Sequence, residues 1–328
     1  MYVLYTDDSI LAGPDRAELE KVIEEIKESG LNITVEGDLQ DFLGVRIDRN
    51  EDGTISLTQP QLIDQILDDL RLQDDQVKTK DTPATSSKIL KRHQEEEKFD
   101  RSFDYRSVIG KLNYLEKGSR PDIAYISHQC ARFSQDPRKP HADAVRWLGR
   151  YLKGSRKKGT IIRPDPMREL EVFVDADFSG NWDPMDTGNP DTARSRHGYL
   201  ITYGGCPIVW KSQLQTEIAL SSTESEYTGL SYALREAIPI IDLLHELKQA
   251  GFPIRSHKAN VRCKVFEDNS GALEMAKVHK YRPRTKHLNV KLHHFRKYVD
   301  SKMITIHRID TNEQPADILT KPVNVDIL

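Results

Sequence analysis

The chain has 328 residues, 37% hydrophobic and 30% charged, with a formal net charge of −3. At roughly 150 residues per domain, that length suffices for about two domains, each with its own core. The composition excludes a globally basic nucleic-acid binder, and no apolar run approaches the ~20 residues of a membrane span. Cys130, Cys206 and Cys263 are too scattered for a disulfide framework or a zinc site, so reduced, buried thiols are expected. The first residues, MYVLYTDDSI, lack the basic start of a signal peptide, which makes an intracellular chain the expectation. The abrupt start on an apolar strand suggests that the chain begins inside a domain. Basic charge is local: Arg138–Arg163 holds nine Lys/Arg against one acid, and Lys277–Val299 holds eight and no acid.

In chain order, Met1–Gly13 reads as strand, turn, strand with Asp7 and Asp8 at the tip. Asp15–Ser29 is an amphipathic helix, capped by Asp15 and ended by Gly30. Strands are expected at Asn32–Val35, Phe42–Arg49 and Ile55–Leu57, with a turn at Glu51-Asp52-Gly53. Thr58–Leu72 is a helix with Pro60 in its first turn. Leu72–Phe103 is polar and reads as a linker or loosely packed excursion. Three helices follow, Tyr105–Lys117, Pro121–Phe133 and His141–Leu152.

From Glu169 the pattern changes. Leu170–Val174, Tyr199–Tyr203 and Ile208–Lys211 form a three-stranded meander, and a long helix begins near Ser222. Val265-Phe266 opens a fourth strand, Ser270–Lys277 and His293–Asp300 are helical, Met303–Ile309 is a fifth strand, and Gln314–Thr320 a last helix. The layout is mixed α/β with a central sheet.

The stretch VFVDADFSG, Val172–Gly180, delivers Asp175 and Asp177 to one face of a strand end, two residues apart. Paired carboxylates there are costly unless a cation or proton neutralises them. Later stretches offer Glu224 or Glu226, Asp268 and Asp317 as partners. Each has a bland alternative. Asp177 can cap the strand end, and Ser221-x-x-Glu224 and Thr223-x-x-Glu226 are both capping boxes. Asp268 suits an Asx turn, and Asp317 suits the start of a helix.

Several segments resemble copia-type (Ty1/copia) retrotransposon Pol polyproteins. YTDD at the front is similar to the metal-binding hairpin of reverse transcriptases, and FLGVRI to the segment that follows it in the copia type. YRSVIGKLNYLEKGSRPDIAYISHQCARF and HADAVRWLGRYLKGS resemble the region joining polymerase to nuclease. VDADFSGNW, the run from RSRHGYLITYGG to SSTESEY, VFEDNSGALEMA, RPRTKHLNVKLHHFRKYV and TNEQPADILTKP resemble the ribonuclease H part. Phe178 departs from the pattern, which often carries Trp after the second acid.

The resemblance implies the C-terminal part of a truncated reverse-transcriptase palm and the start of the thumb (residues 1–75), a helical thumb and connection region with a polar linker (76–168), and a ribonuclease H-like mixed five-stranded sheet with helices (169–328). It implies Asp175, Glu226, Asp268 and Asp317 as catalytic metal ligands. The pattern of related nucleases favours Glu226 over Glu224, which is left as a cap. Asp7 and Asp8 would be remnants of a polymerase metal site whose third aspartate, upstream in the family, the chain does not contain. Lys211, Arg284, Lys286 and His287 would bind nucleic acid. Implied cofactors are two Mg²⁺ ions, with Mn²⁺ as a substitute, and the implied substrate is the RNA strand of an RNA–DNA hybrid. Association with other Pol or Gag products of the element, in cytoplasm or nucleus, is implied as well. An inert nucleic-acid-binding remnant is the alternative expectation.

Overall fold

A computed structural model describes residues 1–85, 90–92, 97–254, 261–277 and 294–325. At the front, β1 (Tyr2–Tyr5) and β2 (Asp8–Leu11) pair antiparallel, with Tyr5 opposite Asp8 and Thr6 at a φ of 52° in the turn. α1 (Arg16–Glu28) follows, and the Asp15 carboxylate accepts from the Ala17 N–H to cap it. Neither the hairpin nor α1 contains a buried residue. The strand expected at Asn32–Val35 does not form, because its alternating residues find no partner strand.

The single strand expected at Phe42–Arg49 is instead a tight hairpin of β3 (Asp41–Phe42) and β4 (Val45–Arg49). Leu43 and Gly44 turn it, with φ of 52° and 72°, the doubly positive geometry that matches strand twist. β5 (Ile55–Thr58) pairs with β4 and leads into α2 (Pro60–Asp69). Then come α3 (Tyr105–Gly118), capped by Asp104, α4 (Ala124–Ala131), entered through one 3₁₀ turn at Pro121–Ile123, and α5 (Lys139–Gly154). Their apolar faces share a core that includes Ile63, Ile66, Leu112, Val145 and Leu148. Leu72, Ala84, Leu90 and Phe103 are buried in that same core. The described part of Leu72–Phe103 is therefore packed rather than loose: a few apolar anchors tie a polar segment down. β6 (Thr160–Ile162) returns to pair with β5 and completes a four-stranded sheet, β3-β4-β5-β6.

The second core belongs to a five-stranded sheet. Its elements are β7 (Leu170–Asp177), the short α6 (Pro190–Ala193), β8 (Arg196–Tyr203), β9 (Cys206–Leu214), α7 (Ser222–Gln249), β10 (Cys263–Glu267), α8 (Ser270–Lys277) and β11 (Ile304–Arg308). Strand order is β11-β10-β7-β8-β9, with β8 antiparallel to both neighbours and β10 parallel to both of its own. A fold of this mixed kind puts β7, the first strand, at the centre. α7 lies on one face, with Tyr227, Leu230 and Leu234 in a core with Val172, Val174 and Ile201. Residues 294–300 are helical.

The last helix is not α. Residues Pro315–Leu319 form a 3₁₀ helix, consistent with a five-residue length and proline in the first turn. It sits tightly over β8: a Cβ at Gly198 would lie 2.6 Å from Leu319 Cβ. The first unit covers part of the same sheet. Trp210 Nε1 donates to the Glu116 carbonyl at 3.0 Å, Gln129 Nε2 to Asn181 Oδ1 at 3.2 Å, and Lys91 pairs with Asp183. Among the described residues, no helix is long and apolar enough to cross a membrane.

Candidate metal centre

Three elements bring acids to the end of β7. β7 carries Asp175 at its buried C-terminal end, where Thr320 Oγ1 donates to Asp175 Oδ2. Gln314 Nε2 donates to the Val174 carbonyl at 2.8 Å, which fixes the 3₁₀ helix against the strand. At the start of α7, the Ser221 hydroxyl accepts from the Glu224 N–H at 3.1 Å, and Glu224 Oε2 accepts from the Leu220 N–H at 2.9 Å. Glu224 is thus occupied with capping. Glu226, two residues on, is 6% exposed and turns toward β7. Beyond β10, Asp268 Oδ2 accepts from Thr311 Oγ1 at 2.8 Å.

Asp175, Glu226 and Asp268 each place a carboxylate oxygen within 4.8 Å of the other two. Among the described residues, no other group of acids, histidines or cysteines converges so closely. Glu226 Oε2 and Asp317 Oδ1 are buried with no hydrogen-bond partner. An all-carboxylate donor set with unsatisfied oxygens fits a hard divalent cation such as Mg²⁺, which takes oxygen ligands.

The electrostatics agree with that fit. Burial, opposed by the Thr320 hydrogen bond and reinforced by the Asp317 charge, pushes the Asp175 carboxyl up to about 6. Burial and the charges of Glu267 and Asp175 push Glu226 far above the carboxylate range. Without a cation, the cluster holds protons that exposed carboxylates would release.

The sequence did not single out Glu267, which is fully buried beside this group. Burial outweighs the hydrogen bond from the Asn269 N–H and moves Glu267 to about 8. The missed signal was strand alternation: Cys263, Val265 and Glu267 are the buried positions of β10.

Asp317 stands apart from the three. It lies close enough to Asp175 to raise that group's proton affinity, but its Oδ2 is ion-paired with Lys321 Nζ at 2.8 Å. Asp177 is half-buried at the end of β7. Burial raises its proton affinity against the opposing charges of Lys321 and Arg196. A Cβ at Gly180 would overlap the Asp177 carboxylate, so a larger residue there would force the Asp177 side chain to move.

Asp7 and Asp8 are exposed on the β1–β2 hairpin, which joins neither other sheet. Lys211 is exposed on the edge strand β9, opposite Tyr199. Arg284, Lys286 and His287 lie outside the described residues.

Comparison with known proteins finds several transposon-encoded relatives. The chain is 32% identical to the retrovirus-related Pol polyprotein from transposon TNT 1-94 of Nicotiana tabacum, over 98% of this chain and 23% of that protein. It is 29% identical to the corresponding polyprotein from transposon RE1 of Arabidopsis thaliana, over 98% of this chain and 20% of that protein. A putative Ty5-1 transposon protein of Saccharomyces cerevisiae is 28% identical over 71% of this chain and 72% of its own length. The chain therefore spans between a fifth and a quarter of the two plant polyproteins. Similar solved structures include the N-terminal RNase H domain of rv2228c from Mycobacterium tuberculosis, with TM-score 0.31, 14% identity, and coverage of 47% of this chain and 91% of that one. Another is LC11-RNase H1 in complex with an RNA/DNA hybrid, with TM-score 0.32, 15% identity, and coverage of 46% and 93%. No protein-family model matches the chain.

Proposed function

Homologues of this chain are the retrovirus-related Pol polyproteins of copia-type transposons, matching 98% of its length, and on that premise we propose that residues 169–328 are a ribonuclease H that hydrolyses the RNA strand of RNA–DNA hybrids. The observation that carries this reading is the convergence of Asp175, Glu226 and Asp268, from a central strand, the first helix and the end of the fourth strand, within 4.8 Å. The ribonuclease H pattern calls for these three positions and a fourth acid in the last helix, for which Asp317 on the 3₁₀ helix is the proposed residue. Residues 1–75 correspond in the same reading to the C-terminal part of a reverse-transcriptase palm and the start of its thumb, and 76–168 to thumb and connection, with Asp7 and Asp8 on the polymerase hairpin.

Phosphodiester hydrolysis needs an activated water, neutral surroundings for the phosphoryl oxygens and a stabilised leaving group. Two Mg²⁺ ions, when bound, supply charge neutralisation and a more acidic water. The chain's own residues do the positioning. Asp175, Glu226 and Asp268 would hold the cation, and the Thr320 hydroxyl donates to Asp175 and fixes its rotamer. Thr311 does the same for Asp268. Selection of a hybrid follows from contacts to the 2′-OH, a donor and acceptor that DNA lacks. Lys211, Arg284, Lys286 and His287 are the proposed phosphate contacts, which position without reading sequence.

A substrate panel tests this. Labelled RNA–DNA hybrid, duplex RNA, duplex DNA and single-stranded RNA are incubated with the full chain, with Mg²⁺ or with chelator. Cleavage restricted to the RNA of the hybrid, and only with metal, is expected. Equal cleavage of duplex DNA, or cleavage in chelator, would remove the ribonuclease H assignment.

A further inference from the structure

The acids at the end of β7 fall into two electrostatic groups. Among the described residues, Glu226, Glu267 and Asp268 have no ion-pair partner, and neither does Asp175. On the other side of Asp175, the protein brings its own cation. Lys321 Nζ lies 2.8 Å from Asp317 Oδ2, and the Lys321 side chain is 42% exposed, against 10% for Asp317. Its N–H also donates to the Asp317 carbonyl at 3.2 Å, so the turn that carries Asp317 sets the lysine's place. Burial works against its charge, but the hydrogen bond to Asp317 and the charges of Asp175, Asp317 and Asp177 hold the ammonium above its ordinary range. The preceding residue, Thr320, donates to Asp175. Two consecutive side chains therefore tie down two of the acids, Thr320 as a neutral donor and Lys321 as a cation.

We propose that Lys321 is a positioning residue that occupies the Asp317 side of the centre with its ammonium, so that a divalent ion fills the Asp175–Glu226–Asp268 position first and a second ion binds at Asp317 only after Lys321 leaves it. The inference rests on the metal-centre reading above. A flexible four-carbon stem with a half-exposed head can swing away, whereas a fully buried ion pair could not. Filling is then ordered: the second ion displaces a bound cation, while the first meets acids that have no ion-pair partner among the described residues. Two cations a few Å apart at a protein surface repel by several-fold to many-fold in affinity, so losing the lysine charge should tighten the second site by about tenfold or more.

Mn²⁺ titration of the full chain, read by water-proton relaxation and isothermal calorimetry, counts bound ions without any turnover. The wild-type chain is expected to show one tight and one weak site. Lys321→Gln should tighten the weak site by about tenfold or more and leave the tight one in place. Lys321→Arg, which keeps the charge, should keep the wild-type pattern and serves as the folded control. Asp268→Asn should lose the tight site. A weak site unchanged by Lys321→Gln, with the tight site lost in Asp268→Asn, overturns the role of Lys321 alone. A tight site that survives Asp268→Asn overturns the metal centre and the inference with it.

Discussion

At Glu226 a carboxylate lies between α7 and the end of β7 with one oxygen, Oε2, that meets no donor. Burial and neighbouring acids raise its proton affinity, as they do for Asp175 and Glu267. A raised carboxyl holds a proton in the folded chain that the unfolded chain has already released. Its stabilising contribution is complete below about pH 4, where both states are protonated, and is lost as pH rises through about 6 for Asp175 and about 8 for Glu267. The metal-free chain should therefore melt at a lower temperature at about pH 8 than at about pH 5, and excess Mg²⁺ should reduce that difference by binding only the folded state. Calorimetric melting in chelator and in Mg²⁺ measures it, and a metal-free melting temperature that rises over the window would contradict the burial of these acids. Glu226→Gln removes the ionisable group and keeps the shape. It should raise metal-free stability near pH 8 by on the order of 1–3 kcal/mol while lowering cleavage by at least about 100-fold, the trade expected of a strained active-site group.

At the scale of elements, the 3₁₀ helix Pro315–Leu319 is held against the sheet by the absence of a side chain at Gly198. Gly198→Ala should push that helix outward, costing about 1–3 kcal/mol by overpacking. Cleavage should fall about 10- to 100-fold as Thr320 and Asp317 shift, while tight Mn²⁺ binding at the other three acids persists. Thermal melting and metal titration of this variant separate the two effects. Elements with strong local signals were legible in the sequence. Ser270–Lys277 forms the helix its periodicity predicts, and the cap at Ser221 starts α7 where the capping box places it. What escaped had weak or contrary local signals. Leu43 is a poor residue for a positive φ, so the β3–β4 turn was not visible. The Leu72–Phe103 segment has too few apolar residues to announce that Leu72, Leu90 and Phe103 are anchored in the helical core. Of the site, the three converging acids were among the sequence's candidates because they end apolar strands or begin a helix, whereas Glu267, buried at the end of β10, was not. Lys321 was not singled out, because nothing local marks a lysine four residues after Asp317 as its partner until the turn brings them together.

Across the whole molecule, the helical unit and the five-stranded sheet share a contact. α4 lies against β9 and the 3₁₀ helix, and the buried Arg196 guanidinium reaches from β8 to His128 Nδ1 at 3.0 Å, with the Tyr125 ring 5.2 Å away. Trp210 adds its hydrogen bond to the carbonyl of Glu116. The sheet thus takes part of its second covering layer from residues outside the 169–328 segment. A piece covering residues 165–328 should melt at a lower temperature than the same elements in the full chain and should bind a hydrophobic dye at the uncovered face, since removing cover exposes apolar area worth about 25 cal/mol per Å². Equal melting temperatures would show that the contact contributes nothing. Cleavage of a labelled RNA–DNA hybrid by the full chain and by its Asp268→Asn variant, compared at matched helix content, tests the metal-centre account most directly. Mg²⁺-dependent shortening of the RNA strand by the wild-type chain is expected, at a rate at least about 100-fold higher than in the variant. A variant that cleaves at the wild-type rate, or a wild-type chain that leaves the hybrid intact in Mg²⁺, would contradict it.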